Sequence, residues 1–347
     1  SRSGGSPEVL ILRSGNLGFR AAFTAENGDI VVESLRGALA RIRFDLKGEI
    51  KNIFSKDIRG SFNGTCESDL RELNGTGFFP TDAGLKGTLT ASTYLDFSGM
   101  TDTVITAWGT MSLSGLEIKG LDINEISGKF SFEEGRFSVP LLNGFLYDGS
   151  VSGRFLVDVI EQDLPFAASL NINNINYRKL MEDLGVEEQI YGSLSLELDL
   201  KGYAKNPDTA EGTGEIMIAE ADLGPMPILT PLLGDIYSGI EIMFSDADPV
   251  TINEAYADFI IENRKIRTDN LTFLGDSIAV TSKGYLDFDG KVDFYFENQF
   301  LPPSPGRREN WQTGIRDAII SLGRSIGRAR LRGTLNEPRW EFDYGPS

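Results

Sequence analysis

The sequence predicts a mainly-β protein: a long antiparallel meander of many strands with a few short helices. Two observations carry this. Apolar and polar residues alternate over long runs, most clearly in "GSLSLELDLKG" (192–202), where Leu194, Leu196, Leu198 and Leu200 take every second place. The runs are joined by Glu-Gly or Asp-Gly pairs, connections too short for anything but antiparallel neighbours.

Side chains of a strand point to opposite faces in turn, so the four leucines share one face and Ser193, Ser195, Glu197, Asp199 and Lys201 take the other. Full burial of four leucines is worth about 6–12 kcal/mol, so that face must meet another sheet, a helix or a ligand.

A short glycine-led pattern recurs along the chain. It appears as "GTLTA" from Gly87, "GTMSL" from Gly109, "GKFSF" from Gly128 and "GSVSG" from Gly149. It returns from Gly192, Gly214, Gly284 and Gly333. Glycine at a strand entrance supplies the backbone freedom of a turn or bulge. The intervals are irregular, which excludes a fixed-period solenoid and favours one hairpin unit used many times. Hairpins are expected at "FSFEEGRFSV" (131–139 behind Phe130), "FLYDGSVSG" (145–153) and "YLDFDGKVDFYF" (285–296).

Three stretches have helical character. "YRKLMEDLGVEEQ" (177–189) offers two turns with Leu180 and Leu184 on one side. "MPILTPLLGDIYSGIEIMF" (226–244) is apolar but broken at its start by Pro227 and Pro231. In 307–329, Trp311, Ile315, Ile319, Leu322 and Ile326 fall at spacings of four, four, three and four, after the break "LPPSP". Gly314, Gly323 and Gly327 each weaken that helix by about 1 kcal/mol relative to alanine. Three short helices cannot cover a dozen or more strands. The sheet must cover itself, by curling into a groove or barrel or by stacking as a sandwich.

Composition excludes much chemistry. Lys and Arg number 33 against 51 Asp and Glu, a net charge of −18 that repels phosphate backbones and argues against nucleic acid as a partner. There is no histidine and one cysteine, Cys66, so no Ser–His–Asp or Cys–His pair, no Cys/His zinc site and no internal disulfide can form. Cys66, in "FNGTCESDL", reads as a small unreactive residue at a strand end or loop. No run approaches 18 apolar residues, and the opening "SRSGGSPE" (1–8) reads as a flexible leader.

Asp287, Asp289 and Asp293 surround "DFDGKVD", but their spacing does not match a calcium loop and turn chemistry explains them. Asp246 and Asp248 also read as a turn, and no carboxylate pair stands out for glycoside chemistry. "NGT" at Asn63 and Asn74 and "NLT" at Asn270 fit the glycosylation triplet, which matters only in a eukaryotic secretory setting.

The basic residues concentrate near the C-terminus. Residues 307–332 hold seven arginines, among them Arg307, Arg308 and Arg316, against two acids, a local balance of +5. A basic amphipathic helix with tryptophan near one end either lies on an anionic membrane surface or docks a partner. The competing reading is a helix that plugs one end of the sheet, its arginines pairing with nearby acids.

Several stretches, taken in order, resemble a known family. They are "YDGSVSGRFLVD" (147–158), "GTGEIMIAEADLGPMPILTPLLG" (212–234), the run 257–294 ending in "GYLDFDGKVDF", and "GTLNEPRWEFD" (333–343). The set resembles the C-terminal region of AsmA-like bacterial envelope proteins, the AsmA and TamB type, over roughly residues 28 to 343. The resemblance implies a long curled sheet, a taco-like β-groove with short capping helices, spanning 9–347 with a sub-division near 177–192. It implies a periplasmic location, with an inner-membrane anchor outside this chain. It further implies phospholipid acyl chains as cargo in bridge-like transport, with no catalytic residue, metal or cofactor. On that expectation Leu194, Leu196, Leu198, Leu200, Leu286, Phe288, Phe294 and Phe296 are the candidate groove lining. The basic helix would then meet a membrane or an envelope protein. The alternative is a β-rich scaffolding module with a dry core, binding envelope proteins through an edge strand or that helix.

Overall fold

The computed structural model describes residues 8–14, 17–26, 28–39, 42–73, 84–99, 103–118, 121–183, 191–222, 252–275, 278–300, 325–335 and 337–343. It is mainly β: nineteen strands in one sheet that is not closed into a barrel, with one α-helix among the described residues. The chain divides into two compact units, 1–170 with 202–206 and 171–201 with 207–347.

The first ten strands run β1 (Glu8–Ser14), β2 (Leu17–Glu26), β3 (Asp29–Leu39), β4 (Ile42–Lys51) and β5 (Arg59–Asp69). They continue as β6 (Lys86–Ser98), β7 (Val104–Ile118), β8 (Leu121–Glu133), β9 (Arg136–Leu146) and β10 (Gly149–Asp158). A 3-10 turn, Leu70–Leu73, follows β5. Each of these strands pairs antiparallel with the next.

The first unit separates its faces row by row. One register line reads Val32–Gly48–Phe62–Leu95–Ala107–Phe132–Phe137–Val157 across β3 to β10. A second, on the same face, reads Gly37–Phe44–Cys66–Ala91–Met111–Gly128–Leu142–Gly153. Neither contains a charge. The opposite face carries Arg36–Asp45–Thr65–Ser92–Thr110–Lys129–Leu141. Cys66 is therefore inside a strand on the apolar face, not at a strand end. Pro140 takes the extra residue of a bulge in β9, a position where proline costs no ladder bond.

Glycines cross the apolar face obliquely. A Cβ on Gly64, Gly109 or Gly144 would run into the carbonyl oxygen of Asp45, Ser92 or Glu125, and on Gly128 it would lie 2.7 Å from that of Leu141. These glycines sit within strands, where close backbone approach on one face lets the sheet curl toward it. The strand-entrance reading holds at Gly87, Gly149 and Gly192 but not at Gly109, Gly128, Gly214 or Gly284.

The hairpin expected at 131–139 has its turn at Glu134–Gly135, both at positive φ. At 145–153 the turn is Tyr147–Asp148, one residue ahead of the Asp-Gly pair, and Gly149 opens β10. Tyr147 is buried and its hydroxyl accepts the Asp122 backbone N–H at 3.2 Å, which fixes the turn there.

β11 (Pro165–Asn176) carries the boundary between units at 170/171 and leads into α1 (Tyr177–Asp183). The remaining strands are β12 (Tyr191–Tyr203), β13 (Asn206–Asp222), β14 (Ile252–Glu262) and β15 (Lys265–Gly275). They end with β16 (Ile278–Asp287), β17 (Lys291–Phe300), β18 (Ser325–Thr334) and β19 (Pro338–Asp343). From β13 to β19 consecutive strands again pair antiparallel.

The helix expected over 307–329 is contradicted at its end. Residues 325–329, including Ile326, belong to β18. There Arg328, Arg330 and Arg332 alternate with Ala329 and Leu331, a period of two that pairs each arginine with acids on one face and buries the aliphatic residues on the other. Trp311, Ile315, Ile319, Leu322, Arg307, Arg308 and Arg316 lie outside the described residues, as does the apolar stretch 226–244. Among the described residues no helix is long and apolar enough to cross a membrane.

Candidate functional site

In a closed sandwich the apolar rows of the first unit would be buried throughout. Only part of them is, at Val32, Phe62 and Val157. Phe44, Cys66, Ala91, Leu95, Met111 and Phe132 are all only half-buried, and Ile105, at the end of the same face, is 44% exposed. The face is closed at one margin, where Leu70, Leu85, Leu116 and Ile126 form a buried cluster with Leu89 and Leu113 packed against it. Between that cluster and Ile105 lies a broad apolar surface with little polar decoration. Thr93, its main hydroxyl, donates to the Tyr94 carbonyl at 3.3 Å. Burial in this setting pushes the Cys66 thiol above its ordinary range.

In the second unit the four leucines of β12 follow the expected alternation. Leu194 is buried, Leu196, Leu198 and Leu200 are half-buried, and Glu197, Asp199 and Lys201 are exposed. Leu286 lies opposite Val292, and Phe294 and Phe296 follow Val292 on the same face. Phe296 is 3% exposed, packed with its ring centroid 5.0 Å from that of Trp340. Phe288 is in no strand. It forms the β16–β17 turn, exposed, with the Arg264 guanidinium 6.0 Å from its ring centre. Its place in the alternation of "YLDFDG" puts it one step beyond the last ladder pair, Lys265 with Asp287.

The three aspartates of that hairpin have separate tasks. The Asp287 carboxylate accepts the backbone N–H groups of Asp289 (3.0 Å) and Lys291 (2.8 Å). Asp289 pairs with Arg264 at 2.8 Å. Asp293 takes two hydrogen bonds from Arg330, at 2.8 and 2.9 Å, which hold its carboxyl below the usual range.

A cavity of about 530 Å³ lies over β12 to β15 among Glu197, Glu215, Asp258 and Asn270. Burial, then Asp258 and Glu197, pushes the Glu215 carboxyl up. Asp258 is already held by the Tyr256 hydroxyl and the Asn270 amide, so this acidic group has local partners.

Sequence reasoning missed the first unit's surface. Its strands carry the same period-two signal, as in "RFDL" (43–46) and "TMSLSG" (110–115), but glycine and alanine interrupt the rows and hide their breadth. The fold and this surface together define a class: an open, mainly-β sheet whose apolar face in the first unit is only partly buried. Searches against family models, curated sequences and solved structures returned no match to the chain.

Proposed function

We propose that the chain is a non-enzymatic lipid-holding protein whose apolar sheet face carries phospholipid acyl chains. The observation that supports this reading most is the pair of charge-free register lines across β3 to β10, in which Phe44, Leu95, Met111 and Phe132 stay half-exposed although Val32, Phe62 and Val157 are buried. A contiguous apolar surface of that breadth is costly in water and fits ligands without directional polar groups. The AsmA-like resemblance of the sequence supports the same reading. It extends the proposal to bridge-like phospholipid transport in the periplasm of a bacterial envelope, supporting outer-membrane biogenesis, with inner-membrane anchorage outside this chain. Acyl chains are the proposed ligand, with the segment around 307–324 as a contact to a membrane surface or an envelope protein.

Extraction of the purified protein followed by lipid mass spectrometry tests it. About one or more phospholipids per chain is the expected result. An empty protein that also takes up no lipid from mixed micelles would contradict it.

A second reading has one observation in its favour. In the second unit Val292, Phe296, Ala329 and Leu331 are buried to 3% exposure or less, as in a dry core. A scaffolding module would extend such a core, and the lipid-free result would select it.

A further inference from the structure

The face of the first unit opposite the apolar rows is polar, yet two large aromatic side chains stand within it. Tyr94 on β6 and Trp108 on β7 are directly opposite in register, and they are 53% and 44% exposed. Their rings stack with centroids 5.9 Å apart and planes 12° from parallel. Stacking covers part of each ring and leaves the remainder in contact with water.

The register sets what surrounds the pair. Asn63 on β5 stands opposite Tyr94, and Ser131 on β8 stands opposite Trp108. Ser92 and Asp96 flank Tyr94 along β6, and Thr106 and Thr110 flank Trp108 along β7. Each is two residues from its aromatic neighbour and so shares its face. All of these side chains are exposed or half-buried, and none has a hydrogen-bond or ion-pair partner among the described residues. Asp96 and Thr106 also line a cavity of about 670 Å³ beside the pair, together with Arg59 and Ser61 of the same face.

That combination selects a ligand chemistry. An apolar centre two rings wide, inside a rim of hydroxyl, amide and carboxylate groups, matches a pyranose, which has an apolar C–H face and a polar edge. The Asn63 amide both donates and accepts, and the Asp96 carboxylate accepts from sugar hydroxyls. A net charge of −18 disfavours a polyanion. In a β-1,4-linked chain successive pyranose rings lie flat and in line, so one unit can cover the aromatic pair while the next enters the cavity.

We propose that Tyr94, Trp108 and their polar rim form a saccharide site that takes an uncharged β-1,4-linked glycan across β5 to β8. The inference does not rest on the lipid-holding reading, because it concerns the other face of the sheet.

Isothermal titration with chitohexaose and with cellohexaose tests it. A dissociation constant of about 1 mM or tighter for at least one of them is the expected result. Trp108→Ala and, separately, Asp96→Ala should weaken that binding about tenfold or more, with an unaltered circular dichroism spectrum. Bound glycan should also slow the oxidation of Trp108 by N-bromosuccinimide, followed by peptide mass spectrometry, a readout that needs no variant. No binding of either sugar by the wild type at about 10 mM would overturn the proposal and leave the aromatic pair as a cross-strand contact that only steadies β6 against β7. Binding that does not protect Trp108, or that Trp108→Ala leaves intact, would place the sugar elsewhere and overturn the site. Equal affinity for maltohexaose, whose α linkages curl the chain, would overturn the β-linked class.

Discussion

Gly64 on β5 lies opposite Leu46 on β4 so closely that a Cβ on the glycine would strike the Asp45 carbonyl oxygen. The same relation recurs at Gly109 on β7 and Gly144 on β9, two strands further on each time, so the line of close approach runs across the apolar face. Curvature is thus written into the positions that lack a side chain.

Gly64→Val or Gly109→Val should therefore destabilise the fold by about 2–4 kcal/mol, because the added methyl groups meet fixed backbone rather than a movable side chain. Thr65→Val, on the opposite face beside Gly64, should change stability by roughly 0.5 kcal/mol or less. Urea midpoints of the three variants check this. Equal effects at 64 and 65 would mean that the glycines do not set the curl.

Cys66 offers a natural reporter of the apolar face. Its thiol is half-buried and pushed above its ordinary pKa, so alkylation at neutral pH should be slow. Removing lipid should accelerate iodoacetamide labelling about threefold or more, and reloading phospholipid should reverse it. An identical rate with and without lipid would place the cargo elsewhere.

Asp293 and Arg330 give a pH-dependent test of the β17–β18 pairing. The two hydrogen bonds from Arg330, with Arg332 and Lys291 nearby, hold the Asp293 carboxyl below its ordinary value. A depressed carboxyl contributes stability above its unfolded pKa, about 3.9, and loses it as pH falls through the lower folded value. Asp293→Asn should cost about 1 kcal/mol at pH 7, a figure kept small because both side chains are partly exposed. Thermal melts should show the gap to wild type closing below about pH 4. A gap that persists unchanged at pH 3 would remove the ion pair from the account.

Much of the fold was legible because strand alternation is local. The leucines of 194–200 could be placed on one face from their spacing alone, and Leu286, Phe294 and Phe296 could be grouped in the same way. What escaped depended on partners distant in sequence. The run Leu322–Ile326 fits helical spacing, yet Arg328, Arg330 and Arg332 find their carboxylates only across β17 and β19. The turn at Tyr147–Asp148 is fixed by Asp122, 25 residues away. Phe288 continues the alternation of Leu286, but the Asp287 carboxylate caps a turn just there. The candidate surface itself is assembled from one or two residues of each strand, so no single stretch displays it.

The central claim is that one face of the sheet holds acyl chains, and site-specific photo-crosslinking in cells tests it most directly. A photoreactive residue at Met111, and independently at Leu196, should capture phospholipid, because both lie on apolar faces. The same residue at the adjacent Thr110 or Glu197 should not, since neighbouring positions in a strand point to opposite sides. Capture at 111 and 196 but not at 110 and 197 is the predicted result. Capture at all four positions, or at none, would contradict it.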